Sequence, residues 1–278
     1  MSTTRRQFLA AAAPLAGAAA QRTVSSNDRI QLGAIGLGGR GTSDVHVALE
    51  HAGGAALVAV SDLYEGRRTR AREVFGKDLF VTPDYRELLA RKDIDAVIVA
   101  TPDHWHAQAS IDAMHAGKDV YCEKPMVHAI EVGHAVIAAE RNTGRIIQVG
   151  SQRASSIIHQ KAKDLIREGA IGKLNLIEAW RERPVDRDDL VFRNSIPLDA
   201  SAATIDWDRF VAHTTQRPFD AQRFFWWHNY RTTARGYPAI CSCTCFRECT
   251  SCWTRKGHRG SWPLAARVIG MTGAKSRT

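Results

Sequence analysis

The chain has 278 residues, a hydrophobic fraction of 44% and a formal net charge of +9. Residues 1–22 carry +3 and residues 237–278 carry +6, so the whole excess lies at the two ends and residues 23–236 are formally neutral. This length accommodates two domains, and the neutral middle argues against a basic nucleic-acid-binding face there.

The first predicted element is an export signal. Thr4–Leu9 reads T-R-R-Q-F-L, and its two arginines precede a weakly apolar run from Phe8 to Ala20. The run is too short and too rich in alanine for a membrane span, and it resembles a twin-arginine signal. We therefore predict a signal peptide over residues 1–20 and a periplasmic or exported protein. A frayed alanine-rich helix is the alternative.

Residues 28–150 alternate short apolar runs with helical patterns. Five runs are predicted to be buried parallel strands: Ile30–Gly36, Ala56–Asp62, Asp95–Pro102, Asp119–Pro125 and Arg145–Ser151. Helices are predicted between them, among others over Thr42–His51, His106–Ala116 and Ala129–Arg141. This alternation predicts an α/β fold with a doubly wound parallel sheet of the Rossmann kind.

A glycine-rich loop follows the first predicted strand. The stretch G-L-G-G-R-G places Gly36, Gly38 and Gly41 in the pattern G-x-G-x-x-G, between a strand and a helix. In this context Gly36 permits a tight turn, Gly38 lets the backbone approach a pyrophosphate, and Gly41 lets the helix pack closely. The loop, including Gly39 and Arg40, is therefore predicted to bind a dinucleotide at the helix N-terminus.

An acidic residue ends the second predicted strand. The carboxylate of Asp62 can accept hydrogen bonds from both ribose hydroxyls, which favours NAD and disfavours the 2′-phosphate of NADP. Arg67 and Arg68 follow closely. They are predicted to be solvated helix residues. The alternative is that their positive charges lie near the cofactor and weaken the preference for NAD over NADP.

Two further stretches connect the chain to a family. T-P-D-H-W-H-A (Thr101–Ala107) and A-G-K-D-V-Y-C-E-K-P (Ala116–Pro125), together with the glycine-rich loop, resemble the Gfo/Idh/MocA oxidoreductases over about residues 29–230. The resemblance implies an NAD(P)-binding Rossmann domain and a C-terminal α/β domain with an open mixed sheet, which would start within residues 151–236. It also implies hydride transfer to or from a sugar-like or polyol substrate, and homo-oligomers in intact relatives. A minority of relatives cleave glycosidic bonds.

The resemblance also assigns roles to residues. Glu123 and Lys124 would be catalytic and lie beside the nicotinamide, with Lys124 moving the proton of the substrate hydroxyl. Pro125 would follow a cis peptide bond. Thr101 and Pro102 would form a turn that faces the cofactor.

Three histidines and two further polar residues are weaker candidates. By the same resemblance His106 would contact the cofactor, and His104, Gln152 and Arg153 would face the substrate. Capping or packing is an equal alternative for both histidines. Trp226, Trp227 and His228 either line a sugar site or belong to the core. No metal site is predicted, because Asp186, Asp188 and Asp189 lie in a run typical of a solvated loop.

After the Rossmann pattern, a helix is predicted over Ser156–Glu168 and a strand over Lys173–Trp180. Residues 237–278 then depart from the rest of the chain, with five of the six cysteines in Ile240–Trp253. The family normally supplies a second catalytic element here, an Asp followed four residues later by a His, but residues 236–278 contain no Asp. A zinc- or disulfide-binding tail is one interpretation, although five cysteines leave an odd thiol and form no regular C-x₂-C pairs.

A shifted reading frame is the interpretation we favour. In the shifted frame, each codon consists of the last base of one original codon and the first two bases of the next. Because cysteine codons begin with T-G, each cysteine then gives a codon N-T-G, where N is any base. Such a codon encodes only Leu, Val or Met. With permitted codons, Ile240–Trp253 then becomes D-L-F-V-H-L-F-Q-G-V-H-F-V-L, with Asp in the place of Ile240 and His in the place of Thr244. We therefore expect residues 237–278 to be an out-of-frame tail that leaves a truncated, impaired oxidoreductase or a nucleotide-binding remnant.

Nucleotide sequencing across codons 225–245 tests this expectation. We predict that the alternative frame encodes an apolar segment containing Asp-x-x-x-His, because the cysteine codons restrict most of its positions to apolar residues. Independent reads that agree on the present frame, together with an alternative frame lacking such a segment, would contradict it.

Overall fold

The computed structural model describes residues 29–51, 54–151, 156–172 and 194–234. Its centre is one parallel sheet of six strands in the order β3-β2-β1-β4-β5-β6. The strands are β1 Ile30–Ile35, β2 Ala55–Ser61, β3 Phe80–Thr82, β4 Ala96–Val99, β5 Asp119–Glu123 and β6 Ile147–Gly150. The predicted doubly wound sheet is therefore confirmed. All five predicted strands are present, and the missed one, β3, has only three residues.

Helices connect the strands and cover both faces of the sheet. They are α1 Gly39–His51, α2 Glu65–Phe75, α3 Tyr85–Leu89, α4 Asp103–His115, α5 Ile130–Thr143 and α6 Ile157–Arg167. Helix α1 begins three residues before the predicted start, so the last glycines of the loop already belong to its first turn. Helix α4 also begins three residues early, directly after Pro102, whose fixed φ of −57° suits a helix start.

The central strands are buried on both faces, which explains their uninterrupted apolar sequences. In β4, Val97 and Val99 belong to the core on the side of α3, α4 and α5, whereas Ile98 belongs to the core beside α1 and α2. All three side chains are at most 4% exposed. Alternate residues of a strand point to opposite faces of the sheet. When both faces are covered by helices, every side chain is buried, so polar and apolar residues do not alternate along the strand.

A later segment, residues 194–234, packs onto the Rossmann domain. It contains α7 Trp207–Val211, α8 Ala221–Phe225 and a 3₁₀ turn at Trp227–Asn229. Its aromatic core includes Tyr64 of the Rossmann domain, whose hydroxyl donates a hydrogen bond to Asp199 Oδ1 at 2.5 Å. Trp226 and Trp227 pack against this core, which agrees with the packing alternative. The predicted strand Lys173–Trp180 and residues 237–278 lie outside the described residues.

Phe210 holds this segment in place, because its side chain is 1% exposed and contacts the rings of Trp207 and Phe224. We predict that Phe210→Ala lowers the free energy of unfolding by about 3–5 kcal/mol, the usual effect of emptying a buried aromatic site. Urea unfolding followed by tryptophan fluorescence measures it. Leu198→Ala is the matched control, since Leu198 is fully exposed and its truncation opens no cavity. Equal stability of the two variants would contradict the prediction.

Candidate functional site

The candidate site lies at the carboxyl ends of β1, β2, β4 and β5. The strand order reverses direction between β1 and β4, and such a switch point forms a crevice where open α/β sheets bind ligands. The glycine-rich loop leaves β1 here, and at the same edge Glu123 ends β5 and Lys124 follows it. The topology therefore brings together stretches that lie more than 80 residues apart in the sequence.

The glycines of the loop differ in what their positions require. Gly36 has a φ of +88°, and a Cβ atom there would lie 2.7 Å from the Ala100 carbonyl oxygen. A Cβ atom on Gly41 would lie 2.0 Å from the Gly36 carbonyl oxygen, so helix and turn can touch only without a side chain. Gly38 and Gly39 are open, the nearest atoms to a Cβ on Gly38 being in the Arg67 guanidinium at 3.8 Å. The loop is thus a tight backbone cradle with one accessible side.

Asp62 joins the turn after β2 to this loop. Its Oδ2 accepts a hydrogen bond from the Leu37 amide at 2.7 Å, and its Oδ1 accepts one from the Tyr64 amide at 2.9 Å. The buried carboxylate therefore holds the loop, and both of its oxygens accept backbone hydrogen bonds.

Arg67 and Arg68 are half-buried rather than fully solvated, and both contact Asp62, which fits the alternative better than the interpretation preferred from the sequence. Arg67 Nη1 lies 3.5 Å from Asp62 Oδ2, and Arg68 Nη1 donates to the Asp62 carbonyl oxygen at 2.7 Å. The Arg67 guanidinium also lies over the rings of Phe224 and Phe225, 5.6 and 5.4 Å from their centroids. These aromatic faces hold a cation beside the carboxylate, a contact that needs residues far downstream.

Arg40 links the glycine-rich loop to the end of β5. Its Nε donates to Glu123 Oε1 at 3.1 Å, and its Nη2 lies 2.9 Å from Asp44 Oδ1. Both carboxylate side chains are less than 10% exposed, so two buried acids share one guanidinium. Burial and the nearby Glu123 raise the pKa of Asp44 to about 6. The sequence pattern did not identify Asp44, although its position four residues after Arg40 on one helix was a usable signal.

Lys124 lies at the mouth of the crevice. Its backbone amide donates to Glu123 Oε2 at 3.2 Å, and its peptide bond to Pro125 is cis, as the resemblance implied. Burial raises the pKa of Asp103 to about 6, an effect that His106 and Lys124 partly offset. Burial and the Lys124 charge lower the pKa of His228 to about 4. Asp103 and His228 are therefore electrostatic neighbours of Lys124. The sequence suggested a sugar site as one alternative for His228, but it did not single out Asp103.

The two histidines after the Thr101–Pro102 turn have their ring nitrogens on backbone carbonyl oxygens. His104 Nε2 contacts the Phe210 carbonyl oxygen at 2.9 Å, and burial lowers the pKa of His104 to about 4. His106 is buried, with both ring nitrogens within 2.8 Å of backbone carbonyl oxygens. Because α4 begins at Asp103, its first turn directs both rings into packed surroundings. The geometry thus supports the packing alternative over the substrate contact of His104 and the direct cofactor contact of His106.

The remaining predictions concern Gln152, Arg153, metal binding and membrane spans. Gln152 and Arg153 lie outside the described residues, so their predicted substrate contact stays a prediction. Within the described ranges, no three His, Cys, Asp or Glu side chains are grouped to hold a metal ion. In the same ranges, none of the helices combines the length and apolar character needed to cross a membrane.

Comparison with known proteins agrees with this geometry. Residues 30–151 match the family model described as "Oxidoreductase family, NAD-binding Rossmann fold". An inositol 2-dehydrogenase of Rubrobacter xylanophilus is 30% identical over 185 residues, which cover 66% of this chain and 52% of that protein. An inositol 2-dehydrogenase of Klebsiella pneumoniae strain 342 is 32% identical over 144 residues, covering 51% and 43%. The chain spans about half the length of these curated relatives.

Among solved structures, apo scyllo-inositol dehydrogenase from Lactobacillus casei is similar with a TM-score of 0.49 and 27% identity. The match covers 52% of this chain and 43% of that one.

The contact between Gly41 and Gly36 gives a test of the cradle. We predict that Gly41→Ala lowers the free energy of unfolding by about 1–3 kcal/mol, because the new methyl group must displace backbone rather than a flexible side chain. Gly133→Ala is the control, since its Cβ would meet only side chains at 3.9 Å or more within a helix. Chemical denaturation measures both variants. A Gly41→Ala protein as stable as Gly133→Ala would show that the loop is not tightly packed.

Proposed function

We propose that the chain, which belongs through residues 30–151 to the Gfo/Idh/MocA family of NAD-binding oxidoreductases, binds NAD for hydride transfer at a hydroxyl-bearing carbon of a polyol or sugar. Cyclic polyols are the first substrates to test, because the curated relatives named above are inositol 2-dehydrogenases. The contact of Arg40 with Glu123 at 3.1 Å carries the proposal. It joins the loop that would hold the dinucleotide to the residue beside the proposed proton-transfer lysine.

The residues present fit a dinucleotide. The cradle at Gly36, Gly38 and Gly41 leaves its Gly38 side open to a pyrophosphate, and the first turn of α1 supplies amide donors and positive potential. Asp62 would accept the ribose hydroxyls, which favours NAD. Arg67 beside it offers a cation to a 2′-phosphate, so NADP is the second cofactor that we propose. Bound NAD would supply the hydride acceptor.

Lys124 would then handle the proton of the substrate hydroxyl. A positioned acid or base contributes about 10²- to 10⁴-fold to such a reaction. Glu123 would keep its carboxylate on Arg40 and on the Lys124 amide, which orients the start of the turn. Thr101 and Pro102, after β4, would form the same side of the crevice as Lys124, opposite the glycine-rich loop that follows β1.

Turnover by this chain is proposed to be slow. Residues 236–278 contain no Asp and therefore no Asp-x-x-x-His to share the proton transfer with Lys124. We also retain export through the twin-arginine signal as a proposal, since it suits a protein that folds around its cofactor before crossing a membrane.

Titration with NADH and NADPH, followed by fluorescence, tests the cofactor. We predict that Asp62→Asn weakens NADH binding roughly tenfold, since a hydrogen bond to a charged group is worth about 1.5–3 kcal/mol. Asp78→Asn removes an exposed carboxylate and serves as the control. Thermal unfolding of each variant separates lost binding from lost folding.

The outcomes distinguish the candidate functions. NADH binding with slow oxidation of inositol supports the proposed oxidoreductase. Binding without oxidation of any polyol or sugar indicates a nucleotide-binding remnant, and release of the aryl group from an aryl glycoside indicates a glycosidase. A folded protein that binds neither dinucleotide would overturn the proposal.

A further inference from the structure

His106 is bound in a way that a neutral imidazole cannot satisfy. Its Nδ1 lies 2.6 Å from the Pro125 carbonyl oxygen, and its Nε2 lies 2.8 Å from the Thr101 carbonyl oxygen. A carbonyl oxygen only accepts hydrogen bonds, and a neutral imidazole has one N–H. One nitrogen lone pair of a neutral ring would therefore face a carbonyl oxygen at hydrogen-bonding distance, in a place where the residue is 1% exposed and water cannot intervene.

We propose that His106 is a buried imidazolium that ties the Thr101–Pro102 turn to the Lys124–Pro125 turn, and so acts as a positioning residue for Lys124. The protonated ring donates to both carbonyl oxygens, and these two charge-assisted bonds are stronger than neutral ones. The carbonyls follow β4 and β5, the two strands whose ends form this side of the crevice. The effect on Lys124 rests on the function proposed above, whereas the charge of the ring does not.

The surroundings supply a counter-charge. Asp103 lies in the same first turn of α4 and is 3% exposed, and its Oδ2 has no hydrogen-bond partner among the described residues. The other titratable groups that face the ring or share its field are His104, Cys122, Lys124, His128 and His228. Two of these, His104 and His228, have pKa values lowered to about 4 and are neutral near pH 7. Asp103 is thus a buried carboxylate that, together with the Cys122 sulfur, favours the charged ring.

The direction of the pH dependence follows from this arrangement. Burial lowers the pKa of His106, but the Cys122 sulfur, the Asp103 carboxylate and the Pro125 carbonyl together raise it to about 9. Because the pKa is raised in the folded state, the stabilisation from the two His106 hydrogen bonds is fully present below the ordinary histidine pKa of about 6.5. It is lost as the pH rises through about 9, where the ring gives up one proton. Asp103 itself is ionised above about 6, so the pair is charged near pH 7.5.

Nitrogen-15 NMR of the full chain tests the charge directly. We expect both ring nitrogens of His106 to show the shifts of protonated nitrogens at pH 7.5, assigned by their loss in His106→Gln. His104 is the reference in the same spectrum, because it also contacts a carbonyl oxygen but has a neutral ring. Asp103→Asn keeps the size of the side chain and removes the anion, so the transition of His106 should move to lower pH. One unprotonated nitrogen on His106 at pH 7.5 would overturn the proposal. If His106→Gln fails to fold, the ring signals whose transition moves in Asp103→Asn supply the assignment.

The positioning role has its own measurement. We expect NADH to bind roughly tenfold more weakly to His106→Gln at pH 7.5, because displaced turns misplace the groups beside the cofactor. Wild-type affinity should fall between pH 7.5 and 9.5, whereas the affinity of His106→Gln should stay flat and His104→Gln should follow the wild type. An unchanged affinity and pH profile in a folded His106→Gln protein would overturn the positioning role. If wild type binds no NADH, the proposed function fails while the NMR result still decides the charge.

Discussion

Burial of the central strands on both faces is the constraint on which the rest of the structure depends. β1, β4 and β5 have no solvent-facing side, so their side chains are apolar and their backbone groups are paired within the sheet. Polar and charged residues are therefore confined to the strand ends. Because the strands are parallel, their carboxyl ends meet at one edge, and the chemistry of the domain collects there.

The charges at this edge form a shared arrangement. Arg40 forms ion pairs with the buried carboxylates of Asp44 and Glu123. Arg67 lies beside a third carboxylate, that of Asp62, and packs against two aromatic rings. Leaving any one of these acids without its cation would leave an uncompensated charge on a side chain that is less than 10% exposed. Such an arrangement favours one geometry of the glycine-rich loop, the turn after β2 and the end of β5.

Local pattern and long-range contact explain what could be predicted from the sequence. The glycine-rich loop, Asp62 and the strand ends follow from short stretches with a strong periodicity, so their places were predictable. β3 was missed because its three residues are too few for a pattern. The roles of His106 and Arg67 were not predictable, because each depends on a partner elsewhere in the chain, the Pro125 carbonyl for one and the rings of Phe224 and Phe225 for the other.

The aromatic core around Tyr64 has a consequence for how the chain divides into domains. Motifs place the end of the Rossmann domain near residue 150, yet Ile205, Trp207, Phe210 and Phe224 share one buried cluster with Tyr64. A protein trimmed at that motif boundary would expose Tyr64 and remove both rings from Arg67. The described residues that pack together therefore extend beyond the motif boundary, and a protein that keeps the packing of Tyr64 and Arg67 must include residues 194–234 as well as the motifs.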